Sequence, residues 1–320
     1  MKAIGLTQYG GPAVLHLIEL PEPHAGAGEV RVRVHAAAIN PVDALLRNGS
    51  LASAYASHQP PFVPGMDISG TIDQIGPDID PNLDLHVGQA VVGLVNSMAD
   101  HGGYSEQVVL PTASVTAIPA DADWAHAASF LMNALAARNA LDRLKPPAGE
   151  TVLVTGAAGA LGSYAVPLAH EDGLRVIALA ADEDEPYLRS LGADEFVARG
   201  DRAAERVPQI AADGVDAVID AALLFDEIAP AVRDGGKLVD LRSRDGDLGR
   251  GIKIIHADVR QRMTDHAAIV RLREQVESGL LPMRVAQTFP ATSAVEAHRL
   301  LDKGNLHGRI VLLFDAPNQQ

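Results

Sequence analysis

Residues 151–162, TVLVTGAAGALG, constrain this chain more than any other stretch. An apolar, β-branched run (Val152, Leu153, Val154) breaks into a glycine-rich turn, and a helix-like segment over 163–171 follows. Strand, tight glycine turn and helix, in that order, open a dinucleotide-binding βαβ unit. Gly159 lets the backbone approach a pyrophosphate, and Gly162 lets the helix pack closely on the strand. Free N–H groups at the helix start then face the phosphates. The first glycine of GxGxxG is missing, with Ala157 in its place. Such a short turn also arises by chance, so its surroundings carry the argument.

Those surroundings alternate as a βαβ fold requires. Residues 151–155, 174–180, 194–197, 215–220 and 236–241 are strand-like with helical patterns between them, which predicts a parallel, doubly wound sheet. Before it, residues 1 to about 120 are β-rich. VRVRVHA over 30–36 alternates apolar and polar residues, and Pro21, Pro23, Gly26 and Gly28 punctuate its approach. Further strands are expected over 68–75, 90–94 and 104–110, giving a small barrel-like domain. Residues 123–144 look helical. After about 260 the pattern predicts a helix over 265–278, a strand over 285–289, a helix over 293–303 and a last strand over 309–314. That portion is too small to stand alone and is expected to return to the first domain. The division is therefore 1–122, 123–260 and 261–320, with the parallel-sheet unit as an insertion.

Composition removes several function classes. The 320 residues support two cores. A net charge of −15 argues against a nucleic-acid or anionic-membrane surface. No cysteine is present, so disulfides, thiolate nucleophiles and Cys-based zinc sites are excluded. The twelve histidines show no ligand spacing such as HExxH. No segment has the length and apolarity of a membrane span, and the expected location is cytoplasmic.

Seven motifs fall in a familiar order: AAAINPVDALLRNG (36–49), PGMDISGTI (64–72), GGYSEQVVL (102–110), GETVLVTGAAGALG (149–162), VDAVIDAAL (215–223), DGGKLV (234–239) and HGRIVLLF (307–314). Together they resemble the zinc-free quinone oxidoreductase (zeta-crystallin-like) branch of the medium-chain dehydrogenase/reductase superfamily. The resemblance spans essentially the whole chain. It implies a GroES-like catalytic domain with an inserted Rossmann domain, usually in a homodimer. In zinc-dependent relatives Cys, His and Cys hold a catalytic metal; the matching positions here are Asn40, Met66 and Met132. An amide and two thioethers are poor zinc ligands, so no metal is expected.

The same resemblance bears on the cofactor. Ala181 aligns with the carboxylate that grips the ribose in NAD-dependent relatives, while Asp182 stands one step later. Asp182 also suits a solvated helix start, where an acid meets the N-terminal dipole. Arg199 falls where NADPH-using relatives face the adenosine 2′-phosphate, which a guanidinium suits. Glu185 replaces a Lys common there. NADP(H) is favoured, and NAD(H) stays open. Gly156, Ala157, Ala158, Gly159, Ala160 and Leu161 are expected to hold the pyrophosphate. Arg309 is a further cofactor candidate by its place in the C-terminal motif. Ala136 stands where relatives place a small hydroxyl residue beside the nicotinamide amide, and Asn133, one turn earlier, is the candidate replacement.

Hydride transfer needs two reactants held close, water excluded and developing charge stabilised. The Asn40 amide can donate to a carbonyl oxygen; its bland alternative is a cap before Pro41. Asp43 suits a structural helix start, Arg47 an ion pair in the same domain, and Asp67 a pairing with Arg47 or another cation. Many relatives carry a Tyr in the segment after the Asn motif, where this chain has Leu45. Replacement proton donors include Tyr55, His58, Tyr104 and water, with Tyr55 and His58 in a loop over 50–64 able to lid the pocket. Met66 and Met132 would line an apolar pocket. The expected function is NADPH-dependent reduction of quinones or α,β-unsaturated carbonyls. The alternatives are a dedicated enoyl or enone reductase of a biosynthetic pathway, and a cofactor-binding protein without turnover.

Overall fold

The computed structural model describes residues 1–98, 101–242, 244 and 246–314. In chain order the first elements are β1 (Lys2–Gly5), β2 (His16–Glu19), β3 (Glu29–Ala38), α1 (Pro41–Arg47), β4 (Asp67–Ile75), β5 (Ala90–Leu94), β6 (Gln107–Pro111) and β7 (Val115–Ala117). Two helices follow, α2 (Trp124–Ala128) and α3 (Leu131–Leu144). Then come β8 (Thr151–Thr155), α4 (Gly162–Glu171), β9 (Arg175–Ala180), α5 (Glu185–Ser190), β10 (Glu195–Ala198), α6 (Ala203–Arg206), β11 (Val215–Asp220), β12 (Val232–Asp240) and β13 (Lys253–His256). The chain closes with α7 (His266–Glu277), β14 (Val285–Pro290), α8 (Ala294–Lys303) and β15 (Arg309–Leu313). Two compact units result: Met1–Met132, Met263–Glu277 and the stretch from Met283 onward form the first, and Asn133–Arg262 with Ser278–Pro282 the second.

The first unit is built on a seven-stranded sheet in the order β14-β15-β3-β4-β5-β7, with β6 also on β3. The alternation in β3 sets its two faces. Val30, Val32 and Val34 enter the main core with Ile68, Ile72 and Leu110, whereas Arg31 turns outward to Glu22 and Asp73. Farther along, Ala36 and Ala38 face a smaller cluster with Ala125, Ala128 and Val311. Small side chains there let α2 approach the sheet closely.

The second unit is an all-parallel sheet in the order β10-β9-β8-β11-β12-β13. The order reverses between β8 and β11, the switch point at which open α/β sheets take ligands. Thr155 Oγ1 donates to Asp220 Oδ1 at 2.7 Å and accepts the Ala222 N–H at 2.9 Å, so the two strand ends are tied at that point. The fold is thus α/β, with a GroES-like β-rich unit and a Rossmann unit. Two details differ from the sequence pattern. The helical run over 123–144 is interrupted, because the Ser129 N–H and hydroxyl both turn back to the His126 carbonyl. The strand expected from 104 begins at Gln107, because the Tyr104 N–H is spent on the Pro64 carbonyl. No described helix is long and apolar enough to cross a membrane.

Candidate active site

In the first unit, strand register gathers the polar residues. Val311 faces Ala38 across β15 and β3, and the Ile39 N–H donates to the Ile310 carbonyl, so Arg309 comes level with Asn40. On the other side Asp67 faces Ala38. A row of Asp67, Asn40 and Arg309 results, every member buried.

Asn40 caps α1. Its backbone N–H donates to Asp43 Oδ2 at 2.7 Å, the returning half of a capping box. Its side-chain Nδ2 donates to Asp67 Oδ2 at 3.0 Å, and the other oxygen of Asp67 accepts the Met132 N–H at 2.8 Å. Asp43 Oδ1 accepts the Gly65 N–H at 2.9 Å, on the turn that leads to Met66. Two buried carboxylates therefore hold Asn40, Met66 and Met132 together. Asp67 pairs with Asn40 and the Met132 N–H, not with Arg47, whose guanidinium forms a two-pronged pair with Asp302 at 3.0 and 2.8 Å.

Burial pushes Asp43 up to about 6, against the pull of the Asn40 and Gly65 N–H groups, the Tyr104 hydroxyl and the Arg309 charge. Burial likewise pushes Asp67 up to about 6, against Arg309 first and then its two N–H donors. Arg309 thus supplies positive charge to both carboxylates, yet its Nε and Nη2 are buried with no hydrogen-bond partner among the described residues. A guanidinium left with unspent donors is suited to an incoming anion.

Tyr55 and His58 are held elsewhere. The Tyr55 hydroxyl pairs with Ser97 Oγ at 2.9 Å and its ring meets Phe62 edge-on at 5.8 Å, while His58 Nε2 lies 2.6 Å from the Met98 carbonyl. Both clasp the loop over 50–64 to residues 97 and 98. Tyr104 is buried and commits its hydrogen to Asp43 Oδ2 at 3.1 Å. Sequence reasoning missed His298, fully buried against Tyr104 and Arg47. Its only signal was a histidine on the inner side of an amphipathic helix.

In the second unit the glycine turn has little spare room. A Cβ on Gly162 would lie 2.4 Å from the Gly156 carbonyl oxygen and 2.6 Å from Ala157 Cα, so α4 packs on the turn as only glycine allows. Gly156 has φ +57°, and its Cβ would meet Ala222 at 3.3 Å. Gly159 would meet only the Gly156 oxygen, at 3.1 Å. Helix α4 continues through Pro167. At the end of β9, Ala181 is buried and Asp182 is exposed at the start of a 3-10 turn. The Arg199 N–H donates to the Ala180 carbonyl at 2.5 Å, which places this exposed residue beside that strand end. Asn133 Nδ2, near the start of α3, is buried without a partner among the described residues.

Comparison with known proteins agrees with this arrangement. Residues 26–120 match the alcohol dehydrogenase GroES-like domain and residues 191–312 the zinc-binding dehydrogenase domain. An Arabidopsis thaliana NADPH-dependent alkenal/one oxidoreductase is 30% identical over 98% of this chain and 79% of its own length. A Homo sapiens quinone oxidoreductase is 26% identical over 98% of both chains. A mycobacterial protein solved in complex with NADPH superposes with a TM-score of 0.85 at 27% identity, covering 98% of this chain and 100% of its own.

Proposed function

Since the chain belongs to the quinone oxidoreductase branch of the medium-chain dehydrogenase/reductase superfamily, we propose that it reduces quinones or α,β-unsaturated carbonyls with NADPH and without a catalytic metal. The observation that carries this reading is the Asp67 bridge. It holds the Asn40 amide and the Met132 N–H in one buried site whose three metal-equivalent positions offer an amide and two thioethers.

The residues present fit the cofactor. Gly159 leaves the surface of the turn bare, Asn133 Nδ2 is an unspent buried donor, and Arg309 has two more. Residues 156–161 would bind the pyrophosphate, Asn133 the carboxamide, and Arg199 the 2′-phosphate, with Arg309 a further cofactor candidate and Asp182 the ribose-facing residue if NADH serves instead. Bound NADPH supplies the hydride.

The protein's own part is positioning and charge. Asn40 Nδ2 has two hydrogens and spends one on Asp67, leaving the second for a substrate oxygen that gains charge during reduction. The Asp67 carboxylate fixes the plane of that amide. Met66 and Met132 supply a soft apolar wall suited to a flat electrophile. Tyr104 has already given its hydrogen to Asp43, and Tyr55 and His58 are tied to Ser97 and Met98. The proton then comes from water, which suits quinones, because the hydroquinone monoanion left by hydride transfer takes its one remaining proton readily from solvent. The same reading carries a cytoplasmic homodimer, checked by fractionation and light scattering. Its direct test is NADPH oxidation by purified protein with a simple quinone and a 2-enone in parallel.

A further inference from the structure

The buried polar groups of the first unit run on beyond the site into a chain that the reaction does not consume. Arg47 Nη1 lies 3.0 Å from His298 Nδ1, and His298 Nε2 lies 3.2 Å from the Tyr104 hydroxyl. Tyr104 donates to Asp43 Oδ2 at 3.1 Å. Asp43 then accepts the N–H groups of Asn40 at 2.7 Å and Gly65 at 2.9 Å. The outer end is held by Asp302, which grips Arg47 with both oxygens.

Each hydrogen in this chain has one direction. Arg47 carries donors only, so His298 Nδ1 must be an acceptor and its ring proton sits on Nε2. Nε2–H then donates to the Tyr104 oxygen, which leaves the tyrosine hydrogen for Asp43. Burial first, and the Arg47 charge second, hold His298 down to about 3, so the ring is neutral as this pattern requires. The chain does not pass protons, because a guanidinium does not give one up. It locks geometry.

What it locks is the site. Asp43 joins the Asn40 turn to the turn at Gly65 and Met66 by accepting a backbone N–H from each. Gly65 is at φ +105°, and a Cβ there would lie 2.6 Å from Tyr104 Cδ1, so ring and turn are in close contact. Arg47 and His298 are 251 residues apart and join α1 to α8. We propose that His298 is a positioning residue for the reductase site: as the Nε2–H tautomer it closes a one-way hydrogen-bond chain from Arg47 to Asp43 that fixes Asn40 and Met66. This rests on the reading of Asn40 as the substrate-facing donor.

The test uses His298→Leu, His298→Gln, Tyr104→Phe and the His298→Leu/Tyr104→Phe double variant of the full chain. Two readouts are taken: steady-state kinetics with NADPH and a quinone, and hydrogen exchange at the Asn40 and Gly65 amides. His298→Leu removes both ring nitrogens, and kcat is expected to fall about tenfold while KM for NADPH stays within about twofold. Both amides should exchange faster. His298→Gln keeps one acceptor and one donor and should recover most of kcat. The double variant should lose no more than the worse single one, because both break the same chain. Unchanged kcat and unchanged exchange in folded His298→Leu would overturn the proposal, and so would multiplying losses in the double variant. Where His298→Leu does not fold, Tyr104→Phe takes its place under the same criteria. A wild-type protein that oxidises NADPH with neither acceptor sinks the functional reading instead; amide exchange then decides the positioning claim alone.

Discussion

Gly159 and Gly162 are three residues apart in one turn, yet their substitution by alanine should fail in different ways. At Gly162 the added methyl carbon lies 2.4 Å from the Gly156 oxygen, 2.6 Å from Ala157 Cα and 2.7 Å from the Ala157 oxygen. All three are backbone atoms of the turn, so no side chain can swing aside. Overpacking of this kind costs about 1–3 kcal/mol, of which the better helix propensity of alanine returns up to about 1 kcal/mol. A net loss of about 1–2 kcal/mol corresponds to a Tm lowered by roughly 1.5–3 °C for a chain of this size. At Gly159 the only close atom is the Gly156 oxygen at 3.1 Å, and φ lies outside the left-handed region. A shift of a few tenths of an ångström accommodates the methyl, and stability should change by less than about 1 kcal/mol. The methyl nevertheless covers backbone that a pyrophosphate must approach, so NADPH binding should weaken at least tenfold, about 1.4 kcal/mol. Thermal melts without ligand, paired with NADPH titrations followed by nicotinamide fluorescence, separate the two effects. Unaltered NADPH affinity in Gly159→Ala, or an unaltered melt in Gly162→Ala, would refute this account of the turn.

Other expectations follow from the charges. Arg199→Ala should raise KM for NADPH about tenfold and leave KM for NADH alone, read from parallel saturation curves. Arg309→Met strands Asp43 and Asp67 without their shared cation, and should cost about 3 kcal/mol in urea unfolding and weaken NADPH binding. Folded His298 titrates near 3 against 6.5 for a free histidine, so between these values the unfolded chain holds the extra proton. Its contribution is lost as pH falls through that window, by about 1.4 kcal/mol per pH unit. Asp43 and Asp67 run the other way: each is raised from 3.8 to about 6, so its contribution is full below 3.8 and lost as pH rises to about 6. Urea unfolding at pH 4.5, 5.5 and 6.5 should therefore show a steeper gain of stability with pH in Asp43→Asn, and a shallower one in His298→Gln.

Local chemistry made the second unit readable from the sequence. Strand β8 covers the residues expected, because the short β-branched run Val152, Leu153 and Val154, ended by a glycine turn, suits a strand buried on both faces. Gly162 was expected to let the helix pack on the strand, and its close contacts are instead with the turn itself, at Gly156 and Ala157. In the first unit the alternation of β3 was legible, and so were Asp43 as a helix-start carboxylate and Arg47 as half of an ion pair. The partners were not. Asp302 and His298 reach Arg47 across more than 250 residues, and no periodicity links such positions. Asp67 was expected beside Arg47 or another cation; the charge that reaches it is that of Arg309, while its hydrogen bonds go to an amide and a backbone N–H. A buried polar network is specified by three-dimensional closure, and each member looks like an ordinary surface residue until its partners arrive.

The central claim is metal-free hydride transfer from NADPH to a quinone or enone. Its most direct test is the loss of NADPH absorbance with chelator-treated protein, a simple quinone and a 2-enone in parallel, and NADH as the comparison donor. Turnover with NADPH that the chelator does not change is the expected result. Oxidation of neither donor by either acceptor, or activity that disappears with the chelator and returns with zinc, would contradict it.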